Sequence, residues 1–214
     1  MSNASSLSPE LQALARSMAR ALQQPTDVPA DADLGDPLRQ PPALKPSAPA
    51  LLAQSHAGPQ ARRDAQALYR RCLVAYRQRV QQASEVDDAG LAAAYFVLAN
   101  LDVLHDLRPG RSELAQVERQ MRHWLGVSWR GAPLADRQSG FEQLAVLGTL
   151  MTESAFEARR QSAADSVAST TPTTSSAALA HVQQAARAYL VQFGLSPQRL
   201  RLSDTGLVLE AIAA

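Results

Sequence analysis

The sequence predicts an all-α fold, a single bundle of about five helices around one central apolar helix at 90–105, preceded by a disordered proline-rich N-terminal segment. Three observations carry that expectation. Residues 90–104 read GLAAAYFVLANLDVL, an almost unbroken apolar run in a chain otherwise dense in Arg and Gln, so a helix there must be covered on most sides. Apolar residues recur at helical spacing over nearly all of 59–193. Eight of the 13 prolines crowd between Pro25 and Pro59, where lost amides and restricted backbone exclude both helix and central strand.

Composition bounds the function classes. With 214 residues, 46% hydrophobic and 19% charged, the chain suits one ordinary domain and a tail. The net charge is +1, and the cations, all Arg except Lys45, are spread along the helices among 20 acids. That pattern predicts no nucleic-acid partner, which would call for a clustered basic face. Cys72 stands alone, excluding an intramolecular disulfide and a Cys-based zinc site. The 90–104 run falls short of the roughly 20 apolar residues that span a bilayer, so no transmembrane segment is expected.

The elements follow in order. Residues 1–24 contain an amphipathic helix, with Ser8 as N-cap, Pro9 at the first helical position, and Leu11, Leu14, Met18 and Leu22 on one stripe. A helix this short is marginal alone and needs a surface; its own domain, a partner groove or a membrane surface would serve. Residues 25–58 read as an extended linker that tethers it. The helical domain then runs over 59–209.

Its first helix, about 60–82, carries Leu68, Tyr69, Cys72, Leu73, Tyr76 and Val80 on the core side. Asp87 and Asp88 open the central helix as cap and first-turn carboxylates, and Arg108–Gly110 breaks it. A third helix, capped by Ser112, carries Leu114, Val117, Met121, Trp124 and Leu125, with Gly126 as terminator. Trp124 and Trp129 flank the loop that follows and serve as rim packing or as an exposed anchor for a partner.

The fourth helix starts near Ala135 or Asp136 and presents Phe141, Leu144, Ala145, Leu147, Gly148, Met151 and Phe156 for burial. Gly148 costs about 1 kcal/mol against Ala, which predicts a close backbone neighbour at Gly90, Ala93 and Ala94. A flexible loop over 162–176 leads to a fifth helix ending at Gly194. Beyond the Ser203–Gly206 turn, 207–214 fits a short helix or an edge strand equally.

The runs DDAGLAAAYFVLAN, QMRHWL, RQSGFEQLAVLGTLM and AARAYLVQFGLSPQRLRLSDTGL match, in order and spacing, a family of small helical bacterial proteins grouped only as a domain of unknown function. The resemblance covers about 59–209. It implies no activity, substrate or cofactor. It does imply export, usually behind a signal peptide and hence periplasmic or secreted placement, although the N-terminus here has neither the basic region nor the continuous apolar stretch of a standard signal. It also marks Asp88, Gln120, Arg122, Gln138 and Glu142 as recurring polar positions.

Gln138 and Glu142 lie four apart on one helical face, and Gln120 and Arg122 lie on the preceding helix. Converging with Asp88, the five would make either a buried network, with Arg122 paired to Asp88 or Glu142, or the floor of a polar cleft. No metal site is expected: Asp102 and His105 are spaced i, i+3, but the second copy that a dimetal bundle needs is missing, and Glu118 and His123 diverge on a helix. Cys72 lacks an activating His–acid pair, and nucleophile elbows and phosphate loops are absent. No catalytic residue and no cofactor is therefore assigned. The favoured function is a non-enzymatic interaction or accessory domain whose partner is another protein. The alternatives are an exported effector with a delivery segment over 1–58 and an enzyme built on Glu142 and Arg122.

Overall fold

The computed structural model describes residues 9–23, 38–82, 85–107, 110–168 and 175–210. Among these are seven helices and two small sheets: α1 (Pro9–Gln23), β1 (Arg39–Gln40), α2 (Ala48–Ala53), α3 (Pro59–Arg79), β2 (Asp87–Asp88), α4 (Ala89–His105), α5 (Arg111–Ser128), α6 (Leu134–Ala168), α7 (Ser175–Gln192), β3 (Leu200–Ser203) and β4 (Gly206–Leu209). The protein is mostly helical, but not all-α as expected, because two antiparallel two-stranded ribbons, β1–β2 and β3–β4, join the bundle. No helix among the described residues is long and apolar enough to cross a membrane.

The apolar run becomes α4, and it is central. It packs against α5, α6 and α7, and its Ala92, Ala93, Phe96, Val97 and Leu101 are at most 1% exposed. The Asp88 side chain accepts from Leu91 N at 3.1 Å and caps it. Helix α6 runs beside it in the same direction, pairing Gly148 with Phe96, Thr152 with Tyr95 and Arg159 with Asp102. A Cβ on Gly148 would lie 2.8 Å from Tyr95 Cδ1 and 3.1 Å from Phe96 Cα. The expected close approach to the central helix is present, but it falls on Tyr95 and Phe96, just past Ala93 and Ala94 and more than a turn beyond Gly90.

Several boundaries differ from expectation. Gly126 lies buried inside α5, which continues to Ser128 and is capped by Trp129. Gly110 occupies the N-cap, and Ser112 Oγ bonds Glu113 instead. Helix α6 reaches Ala168, deep into the expected 162–176 loop, because SAADSVA has no residue that halts a helix already 28 residues long; 169–174, like 1–8, 24–37 and 211–214, lies outside the described residues. Phe156 is 65% exposed, since the inward register from Met151 falls on Ala155 and Ala158, about 100° and 160° around the helix from it. Trp124 and Trp129 are 4% and 2% exposed, which removes them as surface anchors.

The two N-terminal segments meet the bundle directly. The α1 stripe of Leu11, Leu14, Met18 and Leu22 belongs to the same apolar core as α4, and α1 packs on α5, α6 and β4. A tether was expected; burying four large apolar side chains, each contributing roughly 1.5–3 kcal/mol, gives the short helix the surface it needs. In the proline-rich stretch, 38–53 forms a strap. Leu38, Ala48, Leu52 and Ala53 are buried, and α2 lies on α3 and α6. The C-terminal choice between helix and strand resolves as a hairpin over 200–209, with Leu200 opposite Leu209.

Candidate functional site

The five polar positions singled out in the sequence do not converge on one point. They sit at three joints, each linking a helix to an element remote in sequence.

The first joint is the entry to α4. Arg122 Nη2 reaches Asp88 Oδ2 at 2.5 Å and Glu118 Oε1 at 2.6 Å, and its Nε reaches Glu118 Oε1 at 3.1 Å. Burial opposes the guanidinium charge, but the two carboxylates outweigh it and raise its pKa. Arg122 packs so tightly over the first turn of α4 that a Cβ on Gly90 would collide with its Cγ. Beside it, Arg77 holds Asp87 with two bonds of 3.0 and 2.7 Å and lies 5.9 Å over the Phe141 ring. Asp87 is 1% exposed, so this fork-to-fork pair is desolvated on its acidic side.

The second joint fastens the strap. Gln138 Nε2 donates to Pro41 O at 2.8 Å. One helical turn on, Glu142 Oε2 accepts from Ser47 N at 2.8 Å and Ala48 N at 3.0 Å, satisfying two amides at the start of α2. Glu142 is 1% exposed, and its Oε1 is buried with no hydrogen-bond partner. Burial pushes its carboxyl above the ordinary value, against the pull of the two amides and of Arg77. The register sets Gln40 of β1 opposite Asp87, which puts both side chains on one face of the ribbon. Gln40 is 2% exposed, and both its amide oxygen and nitrogen lack a partner. The Tyr76 hydroxyl is likewise buried and unpartnered, and burial above all raises its pKa, with Asp88 adding to the shift.

The third joint fastens the C-terminal hairpin. Gln120 accepts from Leu207 N at 2.8 Å through Oε1 and donates to Leu207 O at 3.3 Å through Nε2. A side-chain amide thus pairs with β4 as a neighbouring strand would.

Asp88 and Arg122 are therefore brought together, whereas Gln120, Gln138 and Glu142 serve other partners. Arg77, Asp87, Glu118 and Gln40 complete these joints and were not among the expected site residues. For Glu118 the signal was present, since it lies four residues before Arg122, the spacing at which opposite charges meet on a helix. For Gln40 there was none, because its environment depends on a ribbon formed with residues 47 positions away. Among the described residues, no three His, Cys, Asp or Glu side chains are placed to hold a metal ion.

A model described as a family of unknown function (DUF6683) matches residues 1–210. The chain belongs to this family. The match starts well before the 59–209 region on which the resemblance was read, and takes in α1, the strap and the hairpin. No curated protein and no solved structure matches the chain.

Proposed function

We propose that this member of the family is a non-enzymatic interaction or accessory protein that acts by binding another protein. The supporting observation is how its polar side chains are engaged. Arg122 is held between two carboxylates, Glu142 carries the strap, and Gln120 carries the hairpin. A catalytic role for Glu142 with Arg122 would require a solvated cleft, and the carboxylate is 1% exposed and bonded to the protein's own backbone. By contrast, Phe156 and Val191 are 65% and 61% exposed, apolar area that a partner would cover at a gain of about 25 cal/mol per Å².

The test uses the full chain as bait, with the Phe156→Asp variant as control. A partner retained by the wild type and lost by the variant, with the helical circular-dichroism spectrum unchanged, supports the reading. Turnover of a substrate that disappears in Glu142→Gln, with binding of every partner intact, overturns it in favour of the enzyme.

A further inference from the structure

Glu142 is a carboxyl group in an unusual position. It is 1% exposed, yet among the described residues no Arg, Lys or His forms an ion pair with it. The nearby guanidinium, Arg77, is committed to Asp87 through both of its bonds. Oε2 takes both strap amides, and Oε1 takes none. A proton placed on Oε1 therefore breaks no existing hydrogen bond and the carbonyl-like Oε2 keeps both of its donors, at the lesser cost of one neutral O–H without an acceptor. A buried, unpaired charge would cost several kcal/mol, and groups so placed neutralise instead.

Of the charged groups facing it, Asp87 favours the neutral state and Arg77 opposes it. Helix α2, APALLA, carries no titratable side chain, and the buried length of α4 offers only the Tyr95 phenol. On α3, Arg77 is attractive but already paired, and the Tyr76 phenol is buried; on β2, Asp87 is repulsive. On β1, Gln40 is neutral and Arg39 is exposed.

We propose that Glu142 holds the strap as a neutral carboxylic acid, making residues 38–53 a proton-gated cover whose grip tightens as pH falls and loosens as pH rises. The direction follows from linkage. Burial, to which the strap contributes, raises the carboxyl pKa above its ordinary value against the pull of the two strap amides. A closed strap whose burial outweighs those amides binds the proton more tightly than an open one does, so closure is fully supported below the open-state value and weakens as pH climbs through the closed-state value. This is opposite to the behaviour of a cap that works through its negative charge, which acid would release.

The isosteric Glu142→Gln variant fixes the neutral form, with the amide oxygen accepting from Ser47 and Ala48. Thermal melting of the full-length wild type and variant is compared from pH 4 to pH 9, together with hydrogen-exchange protection of the Ser47 and Ala48 amides corrected for intrinsic rate. The melting temperature of the variant should rise relative to wild type as pH increases, by roughly 3–5 °C for each pH unit that separates the Glu142 midpoint from 4.5. Strap protection should fall with pH in the wild type alone. A difference that is flat with pH, or that shrinks, overturns the proposal. Should the variant fail to fold, carbon-13 titration of the Glu142 carboxyl in the wild type decides: a midpoint above 4.5 supports the gate, and one at or below 4.5 ends it. All three readouts are taken on the protein by itself, so partner binding stands or falls separately.

Discussion

The strap and the C-terminal hairpin solve the same problem with different chemistry. Each is a short stretch whose backbone is bonded by a buried or half-buried side chain from a long helix, Glu142 for the strap and Gln120 for the hairpin. Gln120 uses one N–H and its amide oxygen, and Leu207 presents one acceptor and one donor, so both ends of the amide are engaged and nothing in the contact titrates. Glu142 meets two donors with one oxygen and leaves the other buried and bare. The hairpin is therefore fastened independently of pH, while the strap is fastened by a group whose charge state decides how well it holds.

The two fastenings can be broken separately. Glu142→Ala should have the largest effect, since it strands two strap amides in a site with little water; a loss of about 2–4 kcal/mol by urea unfolding is expected. Gly206→Ala comes next, at about 1–3 kcal/mol, because Gly206 has φ +108° and a Cβ there would lie 2.5 Å from Gln120 Oε1; exchange at the Leu207 amide should quicken most. Gln120→Ala should cost about 1–2 kcal/mol by the same unfolding measurement, with no change in its size between pH 5 and pH 8. A cost that varied with pH would remove the contrast between the two joints. Gln138→Ala removes a single exposed bond to Pro41 and should cost no more than about 0.5 kcal/mol, read as a small rise in strap exchange. If it matched Glu142→Ala, the strap would be held along its length and not at α2.

Legibility followed sequence distance. The α4 run, the Asp88 cap and the α1 stripe were readable because each is a local pattern whose meaning depends on neighbours within a turn or two. The Arg122–Glu118 pair has a helical spacing that would have shown it, but the partner expected for Arg122 was Asp88 or Glu142 instead. Phe156 shows the limit even of local pattern: one residue of register separates it from Ala155, and only the packed neighbours say which of the two faces inward. Gly126 has the composition of a helix terminator and is a buried helical residue, because α5 has neighbours that continue to cover it. The Glu142 contacts to Ser47 and Ala48 cross 95 and 94 residues, and no spacing rule reaches that far.

From its sequence alone, the protein is committed to a mostly helical bundle around 90–105, because side-chain periodicity and the avoidance of water by apolar surface act residue by residue. Tertiary structure decided the rest. It seated α1 in the core, turned 38–53 into a strap, paired 200–203 with 206–209, and divided one expected polar cluster among three joints. The reason is that a hydrogen-bonding side chain has no preferred partner until packing excludes water and leaves it one, and which backbone amide lies within about 3 Å of Glu142 is settled only when the helices have met.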